Sequence, residues 1–139
     1  MANLGRFIFF LMSESNVFVW NAHGPNMRAR REVIREFLMQ ERVSVACLVE
    51  TKLDVLPQAM ASELFGMSFD YVLLPSFGAS GGIVLAWNRD IWTTSSQTVR
   101  QFSVQATLQS EAIPSATPAP WSLAVVYGPV DESLKQTFC

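Results

Sequence analysis

The first regular pattern in the chain is a run without a polar break. Val17, Phe18, Val19 and Trp20 are β-branched or aromatic throughout, which predicts a strand buried on both faces. Asn21 ends it, and residues 21–26, Asn-Ala-His-Gly-Pro-Asn, are turn chemistry. From Met27 the spacing changes. Ala29, Val33, Ile34, Phe37 and Leu38 recur on one side of a helix running to about Arg42, with Arg28, Arg30, Arg31 and Arg35 on the other side. A second apolar run at 43–49 predicts another buried strand, ending at Glu50, Thr51 and Lys52. Strand, helix and strand with short connections form a βαβ unit, so the two strands are expected to be parallel with their carboxyl ends on one edge.

Beyond this unit, residues 57–65 read as a helix with a proline at its start and Gly66 just past its end. Residues 71–74 predict a short strand. Gly81 and Gly82 introduce Ile83, Val84, Leu85, Ala86 and Trp87, and residues 102–108 alternate as a half-buried strand, which implies antiparallel pairing. Three prolines in 114–120 make a loop, residues 121–127 the last strand, and Asp131 suits the N-cap of a further helix after the break at Gly128 and Pro129. Trp20, Trp87 and Trp121, in strands or at their ends, read as core, and Met27, Met39, Met60 and Met67 as packing residues. No internal repeat is present.

At 139 residues the chain has room for one ordinary domain, and 50% hydrophobic residues exclude a disordered polymer. A net charge of −2 means that no overall field recruits a polyanion or an acidic membrane surface, so any such partner is met locally. The apolar run 7–12 is far shorter than the roughly 20 residues of a membrane helix, and no Ala-x-Ala-like cleavage site follows it. Residues 1–15 are therefore set aside as a flexible extension, with the domain at 16–139. Two cysteines, Cys47 in an apolar run and Cys139 at the end, build neither a disulfide framework nor a cysteine metal site. A reducing, intracellular compartment, nuclear or cytoplasmic, is expected.

The chemistry concentrates at two strand ends. In α/β sheets ligands sit outside the carboxyl ends of strands, where Asn21 follows one predicted strand and Glu50 the next. An amide and a carboxylate are hard oxygen donors suited to Mg²⁺ or Mn²⁺, which take few protein ligands and keep waters for a phosphate to replace. The same pair also reads as a turn cap and a solvated strand terminus.

Five ordered motifs carry a family resemblance: Val19-Trp20-Asn21 with the basic helix after it, Val49-Glu50-Thr51-Lys52, Ser80-Gly81-Gly82-Ile83 with Trp87, and Val126-Tyr127-Gly128-Pro129. From about Val17 to the C-terminus the chain resembles the N-terminal portion of the endonuclease/exonuclease/phosphatase superfamily, most of all the endonuclease domain of plant LINE-type retrotransposons. The resemblance implies a partial two-sheet α/β sandwich, a mixed sheet with flanking helices, and metal-dependent cleavage of phosphate esters. By position, it implies that Glu50 ligates the metal, that Asn21 orients metal and phosphate, and that the Tyr127 hydroxyl contacts the phosphate region. His23, Arg28, Arg30 and Arg31 are weaker phosphate or nucleic-acid contacts.

The departures are as informative. The family's Asp-x-Asn and Ser-Asp-His motifs, which serve water activation, are absent, and the one histidine, His23, lies in the first loop. A fragment of a Mg²⁺-dependent phosphodiesterase or endonuclease, inactive alone, is therefore expected. Its partners are DNA or another phosphate ester once a site is complete, with no membrane and with self-association through uncovered sheet. The alternative is a non-catalytic nucleic-acid-binding or interaction fragment using the helix of residues 28–35. Glu32, Glu36 and Glu41 interleave with those arginines, which points instead to a solvated, internally compensated face.

Overall fold

Two parallel strands joined by a helix form the heart of the molecule. In the computed structural model residues 7–12, 15–22, 27–76, 81–110 and 121–126 are described, with backbone alone at 7–12, 15–16, 27–29 and 121. Strand β2 (Ser15–Asn21) runs through helix α1 (Met27–Gln40) into β3 (Val43–Val49), and β2 pairs parallel with β3 from Asn16↔Val43 to Asn21↔Val49. Helix α2 (Gln58–Phe65) and strands β4 (Phe69–Leu74) and β5 (Ile83–Asn88) follow, with β5 antiparallel to both β3 and β4. Strands β6 (Trp92–Val99), β7 (Ser103–Ser110) and β8 (Trp121–Val126) form a second, antiparallel sheet in the order β6-β7-β8.

The first sheet carries one more strand than the sequence suggests. Phe7–Met12 forms β1, antiparallel to β2 from Phe7↔Trp20 to Met12↔Ser15, so the order is β1-β2-β3-β5-β4. The expectation that residues 1–15 lie outside the fold is thus corrected at 7–12 and at Ser15, the first residue of β2. Six consecutive apolar residues have no period, and only an available neighbouring strand edge decides their conformation. Strand β6 is likewise absent from the sequence reading. Its Thr-Thr-Ser-Ser-Gln-Thr stretch has no apolar alternation, and Trp92 alone of its residues is buried. Backbone pairing with β7 makes it a strand, and its Ser96 hydroxyl joins Thr107 and Ser122 in a row across the outer face.

Alternation along the strands divides the interior in two. Phe18, Trp20, Ala46, Leu48, Val84 and Ala86 face the helices, where Ile34, Leu38, Ala61, Leu64 and Phe65 cover them. Val17, Val45, Cys47, Ile83, Leu85 and Trp87 face the second sheet and meet Val104, Ala106 and Leu108 of β7. The layers are therefore helices, five-stranded sheet and three-stranded sheet. Strand β3 belongs to both cores, and residues 45–48 are wholly buried.

The helix ends follow from local chemistry. Pro57 stands at the N-cap of α2, and Gly66 closes it with a φ of 85° that disfavours other residues, its N–H donating to the Ser62 carbonyl. Helix α1 stops at Gln40, two residues short of the expected end, because Arg42 turns left-handed at φ 52°. Val33, expected on the apolar side, is exposed, whereas Arg31 is drawn inward to an ion pair with Glu63 of α2 at 2.8 Å. With Glu63 open to solvent the pair contributes about 1 kcal/mol or less.

Cys47 lies between the sheets, where burial pushes its thiol up to about 12. In the unfolded chain the thiol ionises near its ordinary value, so the folded state binds more protons in the window between the two. Stability from this group is present below pH 9 and is lost as pH rises toward 12. Chemical denaturation in a Cys139→Ser background is expected to show that alkaline decline, and Cys47→Ala in the same background is expected to remove it.

Candidate active site

The parallel pairing sets the site. Trp20 is level with Leu48 and Asn21 with Val49, and the Ala22 N–H extends the ladder by donating to the Val49 carbonyl at 2.8 Å. Asn21 and Glu50 thus leave the sheet at the same edge, on adjacent strands whose backbones lie about 4.8 Å apart. Both are half-buried. An amide and a carboxylate at such an edge occupy the position where open α/β sheets take their ligands.

Glu50 is also a surplus residue in the pairing on its other side. The last regular pair between β3 and β5 is Val49↔Ile83, so an unbroken ladder would place Glu50 opposite Gly82. Instead the Thr51 N–H donates to Gly82 at 3.2 Å and the Lys52 N–H to Gly81 at 2.8 Å. One residue has been inserted on the β3 side, which is a β-bulge. Its backbone shows the same thing: Glu50 has φ 57° and Lys52 φ 56°, each a left-handed conformation costing a side-chain-bearing residue about 1 kcal/mol. Non-glycine residues held this way cluster at functional sites.

The strain is held by the surrounding contacts. Thr51 is buried between the two left-handed residues, and its hydroxyl accepts the Leu53 N–H at 3.3 Å. Gly81 and Gly82 adopt φ 85° and 93° opposite it, and a Cβ on Gly82 would lie 2.4 Å from the Thr51 Oγ1. Farther along, Ser76 ties the loop down: its N–H donates to Leu53 and its hydroxyl to Asp54, each at 2.9 Å. The Tyr71 hydroxyl donates to the Leu56 carbonyl at 3.0 Å. The Glu-Thr-Lys and Gly-Gly motifs, 30 positions apart, are one structural unit.

The other residues singled out from sequence divide. Tyr127, His23 and Ser80 lie outside the described residues, and Arg28 is placed only as backbone in the first turn of α1. Arg30 points back to the site edge, its Nη1 in a long 3.5 Å contact with the Ala22 carbonyl. Arg31 is engaged by Glu63, and Arg35 is exposed beside Glu32 and Glu36. The structural role of Thr51 and Gly82 was not read from sequence, because nothing local says that these two positions touch.

Among the described residues no group of three or more His, Cys, Asp or Glu could hold a metal ion. The donors at the edge are one carboxylate and one amide oxygen, both hard, with Glu50 freed from the ladder. Such a set fits Mg²⁺, which is usually bound through one or two carboxylates and keeps several waters.

The arrangement of helices and sheets is similar to that of the crystal structure of AP endonuclease LMAP from Leishmania major, with a TM-score of 0.57 at 19% identity over 87% of this chain. The fold is an α/β sandwich of two sheets with helices on one outer face, the layered arrangement expected from the sequence. This chain spans 42% of that structure's length. No protein-family profile and no curated protein matches the sequence. Likeness at this identity concerns the fold alone.

Replacing Gly82 tests the rigidity of the edge. Gly82→Ala places a methyl group against Thr51 on a left-handed backbone and is expected to cost about 1–3 kcal/mol, read as a lowered midpoint in guanidinium denaturation. Gly66→Ala is the control, since a Cβ there meets nothing within 4 Å and only the φ penalty applies.

Proposed function

We propose that this chain supplies the metal-binding, phosphate-facing part of a divalent-metal-dependent phosphodiesterase, an endonuclease of the LINE retrotransposon kind, and that it does not hydrolyse phosphodiesters by itself. One observation carries the reading: parallel β2 and β3 deliver Asn21 and Glu50 to one edge, with Glu50 in a bulge beside the pair Gly81 and Gly82. The nuclease-like fold supports it.

In this reading the Glu50 carboxylate holds Mg²⁺ (or Mn²⁺), and the Asn21 amide orients a phosphate against it. Arg30, half-buried and turned toward Ala22, brings a fixed positive charge to the same edge. Tyr127, next after β8 in sequence, His23, between Asn21 and α1, and Arg28, in the first turn of α1, are the remaining phosphate contacts we assign. The bound ion would polarise the phosphoryl oxygen and offset charge on the leaving oxygen. Water activation is left without residues, since the sequence holds no Asp-x-Asn and no Ser-Asp-His. DNA or another phosphate ester is the substrate once a site is complete.

We also propose self-association through uncovered sheet. Among the described residues three strands of the second sheet lie over five of the first, and β1 and β8 are outermost strands. Open edges of this kind recruit further strands. No described helix is long and apolar enough to cross a membrane. The alternative, a nucleic-acid-binding fragment working through residues 28–35, is weakened by the commitment of Arg31 to Glu63.

Mn²⁺ titration followed by electron paramagnetic resonance tests the site. The wild-type chain is expected to bind Mn²⁺, and Glu50→Gln to bind it at least tenfold more weakly, within the usual cost of disturbing a metal site. Equal binding by the two proteins removes Glu50 from the role. Supercoiled plasmid incubated with wild-type protein and Mg²⁺ is expected to remain uncut, and nicking that disappears in Glu50→Gln would show a competent site.

A further inference from the structure

We propose that Thr51 is a positioning residue: wedged against Gly82, it holds the bulge that turns the Glu50 carboxylate out of the strand's alternation and to the side of Asn21. The inference rests on the reading of Glu50 as a metal ligand and adds what sets its aim.

The alternation of β2 and β3 makes the requirement concrete. On β2, Phe18, Trp20 and Ala22 pack in the helix-side core and Val17 and Val19 in the inter-sheet core, so Asn21 falls in with the latter. On β3, Ala46 and Leu48 face the helices, whereas Cys47 and Val49 face the second sheet. Continued alternation would send Glu50 after Leu48, into an apolar layer with Phe18 and Ile34 and on the face opposite Asn21. Two oxygen donors on opposite faces of a sheet cannot share an ion. The left-handed backbone at Glu50 breaks the alternation at that residue.

Thr51 is the residue on which the break turns. It is flanked by left-handed residues on both sides, and the residue is 1% exposed. Its N–H and that of Lys52 are taken by Gly82 and Gly81, which fixes the shifted register. Its hydroxyl accepts the Leu53 N–H and occupies the space that a Cβ at Gly82 would need. A short hydroxyl side chain that caps a local N–H and packs on glycine satisfies both demands. Valine keeps the shape and loses the acceptor, and serine keeps the acceptor.

The full chain carrying Thr51→Val or Thr51→Ser is compared with wild type by two readouts. The first needs no metal: the Cα chemical shift and three-bond HN–Hα coupling of Glu50, with amide exchange at Lys52, report the left-handed bulge by nuclear magnetic resonance. The second is Mn²⁺ affinity by electron paramagnetic resonance. Thr51→Val is expected to lose the left-handed signature and to bind Mn²⁺ about tenfold more weakly, with Thr51→Ser within twofold of wild type on both. A folded Thr51→Val that keeps the Glu50 signature overturns the proposal. Should Thr51→Val fail to fold, loss of the signature in Thr51→Ser overturns it and retention supports it. Wild-type protein that binds no Mn²⁺ overturns the metal reading instead, and the backbone readout still decides what Thr51 does.

Discussion

Everything in this molecule depends on the burial and pairing of β3. It is parallel to β2 on one side and antiparallel to β5 on the other, with helices against one face and the second sheet against the other. Its residues from Val43 to Leu48 are buried, so its backbone has neither room nor water with which to rearrange. That immobility gives the carboxyl edge a defined geometry. A side chain leaving the end of β3 inherits its position from two cores rather than from a loop.

The same strand departs from regularity in two places. Near its start the register with β2 shifts between Asn16 and Val17, so Ser44 has no residue level with it. Ser44 is buried, and its hydroxyl accepts the Trp92 indole N–H at 3.1 Å, a bond that joins the sheets. At its end Glu50 is inserted against β5. Two left-handed residues cost about 1 kcal/mol each, and the hydrogen bonds of Thr51, Lys52, Leu53 and Ser76 return about 1 kcal/mol each. The bulge is affordable because the opposing residues are glycines, which tolerate φ near 90° and leave space for a threonine.

The basic helix shows how tertiary structure redistributes charges that look alike in sequence. Arg30, Arg31 and Arg35 lie within two turns of one helix and have three different fates: the Ala22 carbonyl at the site edge, an ion pair with α2, and solvent among glutamates. A uniform cationic face is not what this helix presents. Among its described side chains, Arg30 is the arginine it brings close to the strand ends.

Sequence alone determined the βαβ unit, the parallel sense of its strands, the bounds of β3, the punctuation of α2 by Pro57 and Gly66, and the emergence of Asn21 and Glu50 at neighbouring strand ends. Those follow from periodicity, turn chemistry and the handedness of short crossovers, which are local or nearly so. Tertiary structure alone decided that Phe7–Met12 is a strand, that the hydroxyl-rich Trp92–Val99 is another, and that Arg31 turns inward. It also decided that Thr51 meets Gly82 and shifts Glu50 out of register. The Arg31–Glu63 and Thr51–Gly82 contacts join partners that no window of neighbouring residues contains, whereas β1 and β6 pair with the next strand along the chain through main-chain hydrogen bonds that side-chain periodicity does not record.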